Sequence, residues 1–164
     1  MLLRRHYEVT VNKNIKEDDI WKFAWNPKNW TASNPSEHLG LVFYNKQDRP
    51  ETGATFLQRE SLAGIYADLH GQILYAERPK VCVWTGTAAY RFGYFTFYIS
   101  EGGTLRLVRN KDGIIISHDV FMDFVDSWLG KLAMWYFKTV LKGERALNLH
   151  AQRELDYFKK CLEK

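Results

Sequence analysis

The feature that most constrains the fold is a long central succession of strand patterns with no helical pattern between them. From residue 38 to residue 124, strand-like segments are separated only by short groups of turn-forming residues. These groups are Asp48-Arg49-Pro50, Ala63-Gly64, Arg78-Pro79, Glu101-Gly102-Gly103 and Lys111-Asp112-Gly113. A parallel sheet would need long crossover connections, usually helices, between its strands. The short breaks therefore predict an antiparallel meander.

The strands can be assigned from alternation and from these breaks. Residues 3–11 alternate between apolar and polar side chains, which predicts a half-buried first strand. Asp112-Gly113 lies between two apolar runs and is a strong hairpin signal. The segment 94–100 is either a strand of its own or an extension of a neighbouring strand. We predict the remaining strands near 38–46, 53–62, 64–77, 80–90, 94–100, 104–111 and 114–124.

The segments before and after the central strands have helical patterns. A short helix is predicted around Trp21, ended by Asn26-Pro27 because the residue before proline disfavours the helical conformation. A second helical turn or loop follows from Trp30 to Pro35. Over residues 128–164, apolar residues recur at spacings of three, four or seven, which predicts one long amphipathic helix with Gly143 as its weak point and a site for a bend or close contact. This apolar stripe consists of Leu129, Leu132, Tyr136, Val140, Leu147, Ala151, Leu155, Phe158 and Leu162.

Composition agrees with one α+β domain spanning residues 1–164. The aromatic share of 15% is high, with ten Phe, nine Tyr and six Trp. Aromatic side chains fill cores and also line small-molecule pockets, so two interpretations stay open. The segment from Trp128 to Leu141 is so apolar that we expect an unusually apolar environment for it.

Several classes of function are disfavoured. The net charge is +4, and three of these excess charges are spread around the C-terminal helix, so we expect no nucleic-acid partner. No apolar run is long enough for a transmembrane segment, and the charged start predicts no secretion signal. Cys82 and Cys161 match no metal or redox spacing, so we expect two free thiols, a cytoplasmic location, no metal and no cofactor.

The element order resembles the helix-grip fold of the SRPBCC superfamily, which includes START lipid-transfer domains, pollen-allergen-like proteins and polyketide cyclases. Ile20-Trp21-Lys22-Phe23 and Asn26-Pro27-Lys28-Asn29-Trp30 resemble its first helix, helix-ending proline and second aromatic. Asp112-Gly113-Ile114 through Asp119 resembles the last hairpin. The resemblance implies a curved antiparallel sheet of about six to seven strands around a long C-terminal helix, with two short helices after the first strand.

This resemblance implies three alternative functions. The first is binding of a small hydrophobic molecule (a lipid, polyketide or aromatic metabolite) between sheet and helix. The second is an enzyme of the cyclase or aromatase kind, although the sequence contains no catalytic motif. The third is an interaction module like the chaperone activators, with Trp128 and Trp135 as a partner surface or a homodimer edge.

His118 is the most informative candidate site residue. Alternation on the strand 114–124 places it on one face with Ile116, Val120 and Met122, toward the helix. An imidazole there would orient a ligand or act as acid or base, and the alternative is a core histidine with one internal hydrogen bond. Under the cyclase hypothesis, His118 would act with a tyrosine. Met122 would add adaptable apolar surface to the same pocket.

Further candidates come from the other strands and the helix. Either Arg59 or Glu60 points inward, and an inward Arg59 would pair with an anionic ligand group, although a surface ion pair is the simpler interpretation. The placement of Trp84 and Tyr90 stays open, whereas Asp68 and His70 are expected to face outward. Three tyrosines on the apolar faces of their elements would add hydroxyl groups to the pocket, namely Tyr7, Tyr75 and Tyr136.

Overall fold

The structure is a computed structural model that describes residues 1–46 and 49–164. Residue 48 of the first predicted break lies outside the described residues. Seven strands and four helices follow one another in the described chain. Their order is β1 (Leu2–Val11), α1 (Glu17–Ala24), α2 (Pro27–Ser33), β2 (His38–Phe43), β3 (Thr55–Leu62), β4 (Ile65–Glu77), β5 (Val81–Phe92), β6 (Phe95–Arg109), β7 (Ile114–Asp123), α3 (Trp128–Thr139) and α4 (Gly143–Leu162).

The strands form one curved antiparallel sheet in the order β1-β7-β6-β5-β4-β3-β2. From β2 to β7, each strand pairs with the next one along the chain, and β1 closes against β7. The predicted antiparallel meander is therefore confirmed. The long C-terminal helix and the two short helices after β1 are also confirmed.

One predicted break does not exist. Residues 95–100 extend the neighbouring strand, so β6 runs without interruption through Glu101-Gly102-Gly103. The two glycines serve close packing and not a turn. A Cβ on Gly102 would collide with the Phe121 ring, and one on Gly103 would lie only 2.6 Å from the carbonyl oxygen of Asp119. Glycine inside a strand often marks such a close approach.

The long C-terminal helix is shorter than the predicted span of residues 128–164, because α3 and α4 are separate. The chain turns at Lys142, which has a left-handed φ of 50°. Gly143 then starts α4 directly against the Phe137 ring, where a side chain would not fit. The bend expected at this glycine is therefore real. The apolar stripe is not continuously buried, since Leu129, Leu132 and Val140 are about half exposed.

Two apolar clusters lie between the sheet and the helices. One is centred on β2 to β5 and includes Trp30 and Phe56. The other joins β1, β6 and β7 to α1 and α4 through residues such as Phe158. None of the helices in the described residues is long and apolar enough to cross a bilayer.

Candidate functional site

A cavity of about 90 Å³ lies between the sheet and α4, where the two apolar clusters meet. Most of its wall is apolar and much of that is aromatic. The larger apolar residues of the wall are Trp25, Trp30, Leu41, Phe43, Phe56, Leu62, Trp84, Leu105, Val120, Phe121, Met122, Leu147 and Phe158.

Polar side chains form the rest of the wall. They are Gln58, Glu60, Tyr90, Glu101, His118, His150 and Glu154. No lysine or arginine is found among the described residues of this wall. Buried charges are normally paired because desolvation is costly, so three carboxyl groups beside two histidines are an unusual lining for a core.

His38 and His150 meet at the edge of this polar region. Their Nε2 atoms are 2.9 Å apart, although the residues lie 112 positions apart in the chain. The His38 ring is stacked on Trp30 at 3.7 Å between ring centroids, and its Nδ1 lies 2.7 Å from the Trp30 carbonyl oxygen. Burial, together with the charge of His150, lowers the pKa of His38 to about 3, so this imidazole is neutral near pH 7.

His150 is oriented from its other side by an acidic residue. Its Nδ1 lies 2.8 Å from Glu37 Oε2, and Asn34 also donates a hydrogen bond to that oxygen. Burial opposes the charge of the imidazolium, but the hydrogen bond to Glu37 and the nearby carboxylates of Glu60 and Glu154 raise the pKa of His150 overall. His150 is therefore the cation of the polar region.

Two buried carboxyl groups of the cavity, Glu101 and Glu154, favour their neutral forms. Desolvation, together with repulsion from Glu60, raises the pKa of Glu101 to about 8. Desolvation also raises the pKa of Glu154 to about 7, although the charge of His150 opposes this effect. Tyr90 donates a hydrogen bond of 2.6 Å to Glu101 Oε1. The cavity thus holds protons at positions where an exposed carboxyl group would be ionised near pH 7.

Two polar atoms of the cavity wall have no hydrogen-bond partner among the described residues. They are Trp25 Nε1 and His118 Nδ1, and both are buried. Burial lowers the pKa of His118 to about 4, so its ring is neutral near pH 7. Unpartnered buried polar atoms are rare and need an explanation, such as a water or a ligand. The pair offers one N–H donor and one imidazole nitrogen to an occupant of the cavity.

Comparisons with known proteins give results at the level of structure only. No family model matches the sequence, and no curated protein matches it. Among solved structures, Ara h 8.0201 superposes with a TM-score of 0.62 at 10% identity, over 99% of this chain and 98% of that chain. The chain has the helix-grip fold.

Two further structures share this helix-grip fold. The di-domain ARO/CYC StfQ from the steffimycin biosynthetic pathway has a TM-score of 0.65 and 13% identity, over 97% of this chain and 50% of that chain. Major latex-like protein 151 from Panax ginseng has a TM-score of 0.53 and 10% identity, over 89% of this chain and 98% of that chain. Identities this low establish the fold alone.

Two of the predicted site residues lie at the cavity of this helix-grip fold. His118 and Met122 are both on its wall, on β7. The open question about β5 is also answered, since Trp84 and Tyr90 line the cavity. On β3, Glu60 points inward, whereas Arg59 is exposed and pairs with Asp68. A site role for Arg59 in this cavity is therefore not supported by its position.

The three predicted tyrosines lie outside the cavity. Tyr7 donates its hydroxyl hydrogen bond to Asn148 on the outer side of α4, and Tyr136 packs against Phe92. Tyr75 is exposed because the pairing of β4 with β5 shifts register between Ile73 and Tyr75. A residue inserted at such a bulge reverses the faces that simple alternation predicts.

Five residues of the polar region were not predicted as site residues. They are His38, Glu60, Glu101, His150 and Glu154. A signal for two of them was present, because His150 and Glu154 interrupt the apolar stripe of α4 between Leu147 and Phe158. Glu101 was assigned to a turn, and only the three-dimensional fold brings His38 to α4.

Proposed function

We propose that the chain binds a small molecule with an apolar, ring-sized body and one hydroxyl or similar hydrogen-bonding group in the cavity between the sheet and α4. The observation that carries this proposal is the pair of unpartnered polar atoms, Trp25 Nε1 and His118 Nδ1, in an otherwise aromatic wall. A hydroxyl group both donates and accepts, so it can satisfy the Trp25 N–H and can also satisfy His118 Nδ1 in either tautomer.

The size of the cavity supports a compact ligand. Its volume of about 90 Å³ is below the roughly 150 Å³ of an apolar cavity that admits benzene, so a ring needs slight widening. Pockets for drug-sized ligands are larger, about 300–1,000 Å³. Of the three predicted ligand classes (lipids, polyketides and aromatic metabolites), this volume favours an aromatic metabolite with one ring.

The charge of the cavity supports a neutral ligand. Glu60, Glu101 and Glu154 line it, and none of the lining residues described is a lysine or arginine. A ligand carboxylate would lie among carboxyl groups in a medium of low dielectric constant, which is strongly unfavourable. Met122 on β7 adds an adaptable apolar contact.

A matched ligand series tests this proposal. Protein treated with EDTA is titrated with toluene, benzyl alcohol and benzoate, and binding is followed by calorimetry. We expect benzyl alcohol to bind about 2–10-fold more tightly than toluene, the equivalent of one hydrogen bond, and benzoate not to bind. The proposal fails if none of the three binds, or if benzoate binds as tightly as the alcohol.

Two variants locate the binding. Val120→Phe narrows the cavity and should abolish binding, whereas the matched control Val108→Phe places the same ring on an exposed position of β6 and should not. His118→Leu should remove the preference for the alcohol and retain toluene. Binding that is equal in both phenylalanine variants would place the ligand elsewhere.

A cyclase-like enzyme is the second candidate function, and one observation favours it. The cavity holds groups whose pKa values are displaced in opposite directions, with Glu101 raised to about 8 and His118 lowered to about 4. Such pairs supply a proton donor and a proton acceptor near neutral pH. The di-domain ARO/CYC StfQ has a similar fold, which is consistent with this chemistry. Loss of turnover in His118→Ala would be required under this hypothesis.

The interaction-module hypothesis stays a prediction. Trp128 and Trp135 are 73% and 56% exposed on α3, as the predicted partner surface requires. A measurement of molecular mass in solution distinguishes a monomer from a homodimer that would cover this edge.

A further inference from the structure

The protonation of the two facing histidines follows from their hydrogen bonds. His38 Nδ1 lies 2.7 Å from the carbonyl oxygen of Trp30, which only accepts, so Nδ1 carries the hydrogen. Since the neutral ring has one N–H, its Nε2 presents a lone pair. His150 Nδ1 lies 2.8 Å from Glu37 Oε2, a carboxylate oxygen that only accepts, so Nδ1 of His150 carries a hydrogen as well.

His150 is the cation of this pair, so in the metal-free protein its Nε2–H points at the Nε2 lone pair of His38 at 2.9 Å. Without that proton the two Nε2 lone pairs would face each other, which is repulsive. A metal ion can take the place of the proton, because neutral imidazole nitrogen is a common ligand of divalent transition metals.

A carboxylate completes a three-ligand set. Glu154 Oε2 lies 3.9 Å from His38 Nε2, and one ligand atom each from His38, His150 and Glu154 lie within 4.8 Å of one another. His150 and Glu154 are four residues apart on α4, so they project from the same face of the helix. Glu60 Oε2, 4.0 Å from His150 Nε2, is a further oxygen on the same side.

We infer that His38, His150 and Glu154 form a binding site for one divalent transition-metal ion such as Zn²⁺, with its remaining coordination position facing the cavity. Metal–nitrogen distances of about 2.0–2.1 Å place two ligand nitrogens about 3.3 Å apart in a tetrahedral site, so the histidines need to separate by only about 0.4 Å.

The surroundings have the features of a second coordination layer. Metal-bound histidines usually donate their other N–H to a carboxylate or a backbone carbonyl, which fixes the ring orientation. Here Glu37 holds His150 and the Trp30 carbonyl holds His38. The positive charge of the ion would also compensate the negative charge of the buried carboxylates of Glu60 and Glu154. The inference does not depend on the organic ligand proposed above, because the latter is tested in EDTA.

The test uses the full chain after EDTA treatment and desalting. Titration with Co²⁺ should produce the visible absorption of a four- or five-coordinate ion, with one equivalent bound. Zn²⁺, measured in competition with a chromophoric chelator, should displace it with a dissociation constant that is micromolar or tighter. Glu154→Gln and His150→Gln should each weaken Zn²⁺ binding at least about tenfold, and Glu37→Gln should weaken it by a smaller factor.

Two matched variants control for surface binding. His70→Gln removes an exposed histidine, and His6→Gln removes one that lies beside the exposed carboxylates of Glu8 and Asp119. Both should bind Zn²⁺ like the unmodified chain. The inference is overturned if the unmodified chain binds no ion or gives only the weak spectrum of octahedral Co²⁺. It is equally overturned if Glu154→Gln and His150→Gln, checked for folding by thermal unfolding, bind as tightly as the unmodified chain.

Discussion

Glu101 should make the protein less stable as the pH rises from mildly acidic to mildly basic. Its side chain is buried on β6, and burial together with Glu60 raises its pKa to about 8 from the ordinary value of 4.5. Between these two pH values the folded chain keeps the proton, whereas the unfolded chain loses it. Stability therefore falls with increasing pH over this interval and is level outside it.

The magnitude follows from the width of the interval. A span of 3.5 pH units between 4.5 and 8, at about 1.36 kcal/mol per unit, gives a loss of about 5 kcal/mol. Replacement of Glu101 removes both its titration and its repulsion from Glu60, so the variant should avoid this loss, of which about 4 kcal/mol is reached at pH 8. Glu101→Gln stays neutral at every pH, and its amide oxygen can still accept the hydrogen bond from Tyr90.

Urea unfolding of both proteins in EDTA, at pH 5 and pH 8, measures the effect. At pH 8 we expect Glu101→Gln to be more stable than the unmodified chain by about 3–4 kcal/mol, and at pH 5 the two should differ by less than about 1 kcal/mol. Glu8→Gln, at an exposed position of β1, is the matched control, and because it retains Glu101 its stability should fall with pH as that of the unmodified chain does. If the free energies of unfolding of Glu101→Gln and the unmodified chain differed by the same amount at pH 5 and at pH 8, the assignment of Glu101 as a buried, protonated carboxyl group would be refuted.

Two other predictions concern the turns and the thiols. Ala63 and Gly64 join β3 to β4 with φ values of 53° and 78°, so Ala63→Asn should stabilise the chain by about 0.5–1 kcal/mol in urea unfolding, because asparagine tolerates this conformation better than alanine. An unchanged or lower stability would contradict the turn geometry. Cys82 is buried with its pKa raised to about 12, whereas Cys161 is partly exposed. A thiol reagent should modify Cys161 alone in the folded protein and both residues in denaturant. Equal reaction rates in the folded protein would contradict the burial of Cys82.

Local sequence patterns predicted the fold well because they report local physics. The turns at Ala63-Gly64, Arg78-Pro79 and Lys111-Asp112-Gly113, the alternation along β1 and β7, and the apolar periodicity of α4 are all present in the structure. The errors come from tertiary packing. Glycines at 102 and 103 have the same composition as a turn, yet they make room for Phe121 and for the backbone at Asp119. Periodicity alone could not distinguish one helix from two, because the left-handed residue at the junction is a lysine.

The site was predictable only in part for a related reason. Alternation on a regular strand placed His118 and Met122 correctly, but the register shift on β4 reversed the expected face of Tyr75. The histidine pair depends on contact between β2 and α4, and no short-range spacing encodes that contact. Polar residues that interrupt an apolar stripe, such as His150 and Glu154, are the sequence signal that indicates this polar region.

The central claim is that a small ring-bearing ligand occupies the cavity between the sheet and α4. Intermolecular nuclear Overhauser effects between the ring protons of benzyl alcohol and the protein test it most directly. The account predicts contacts to the methyl groups of Met122 and Leu147, which line the cavity. Contacts confined to exposed aromatic residues such as Trp128, Trp135 and Tyr94 would contradict it, because they would place the ligand on the outer surface.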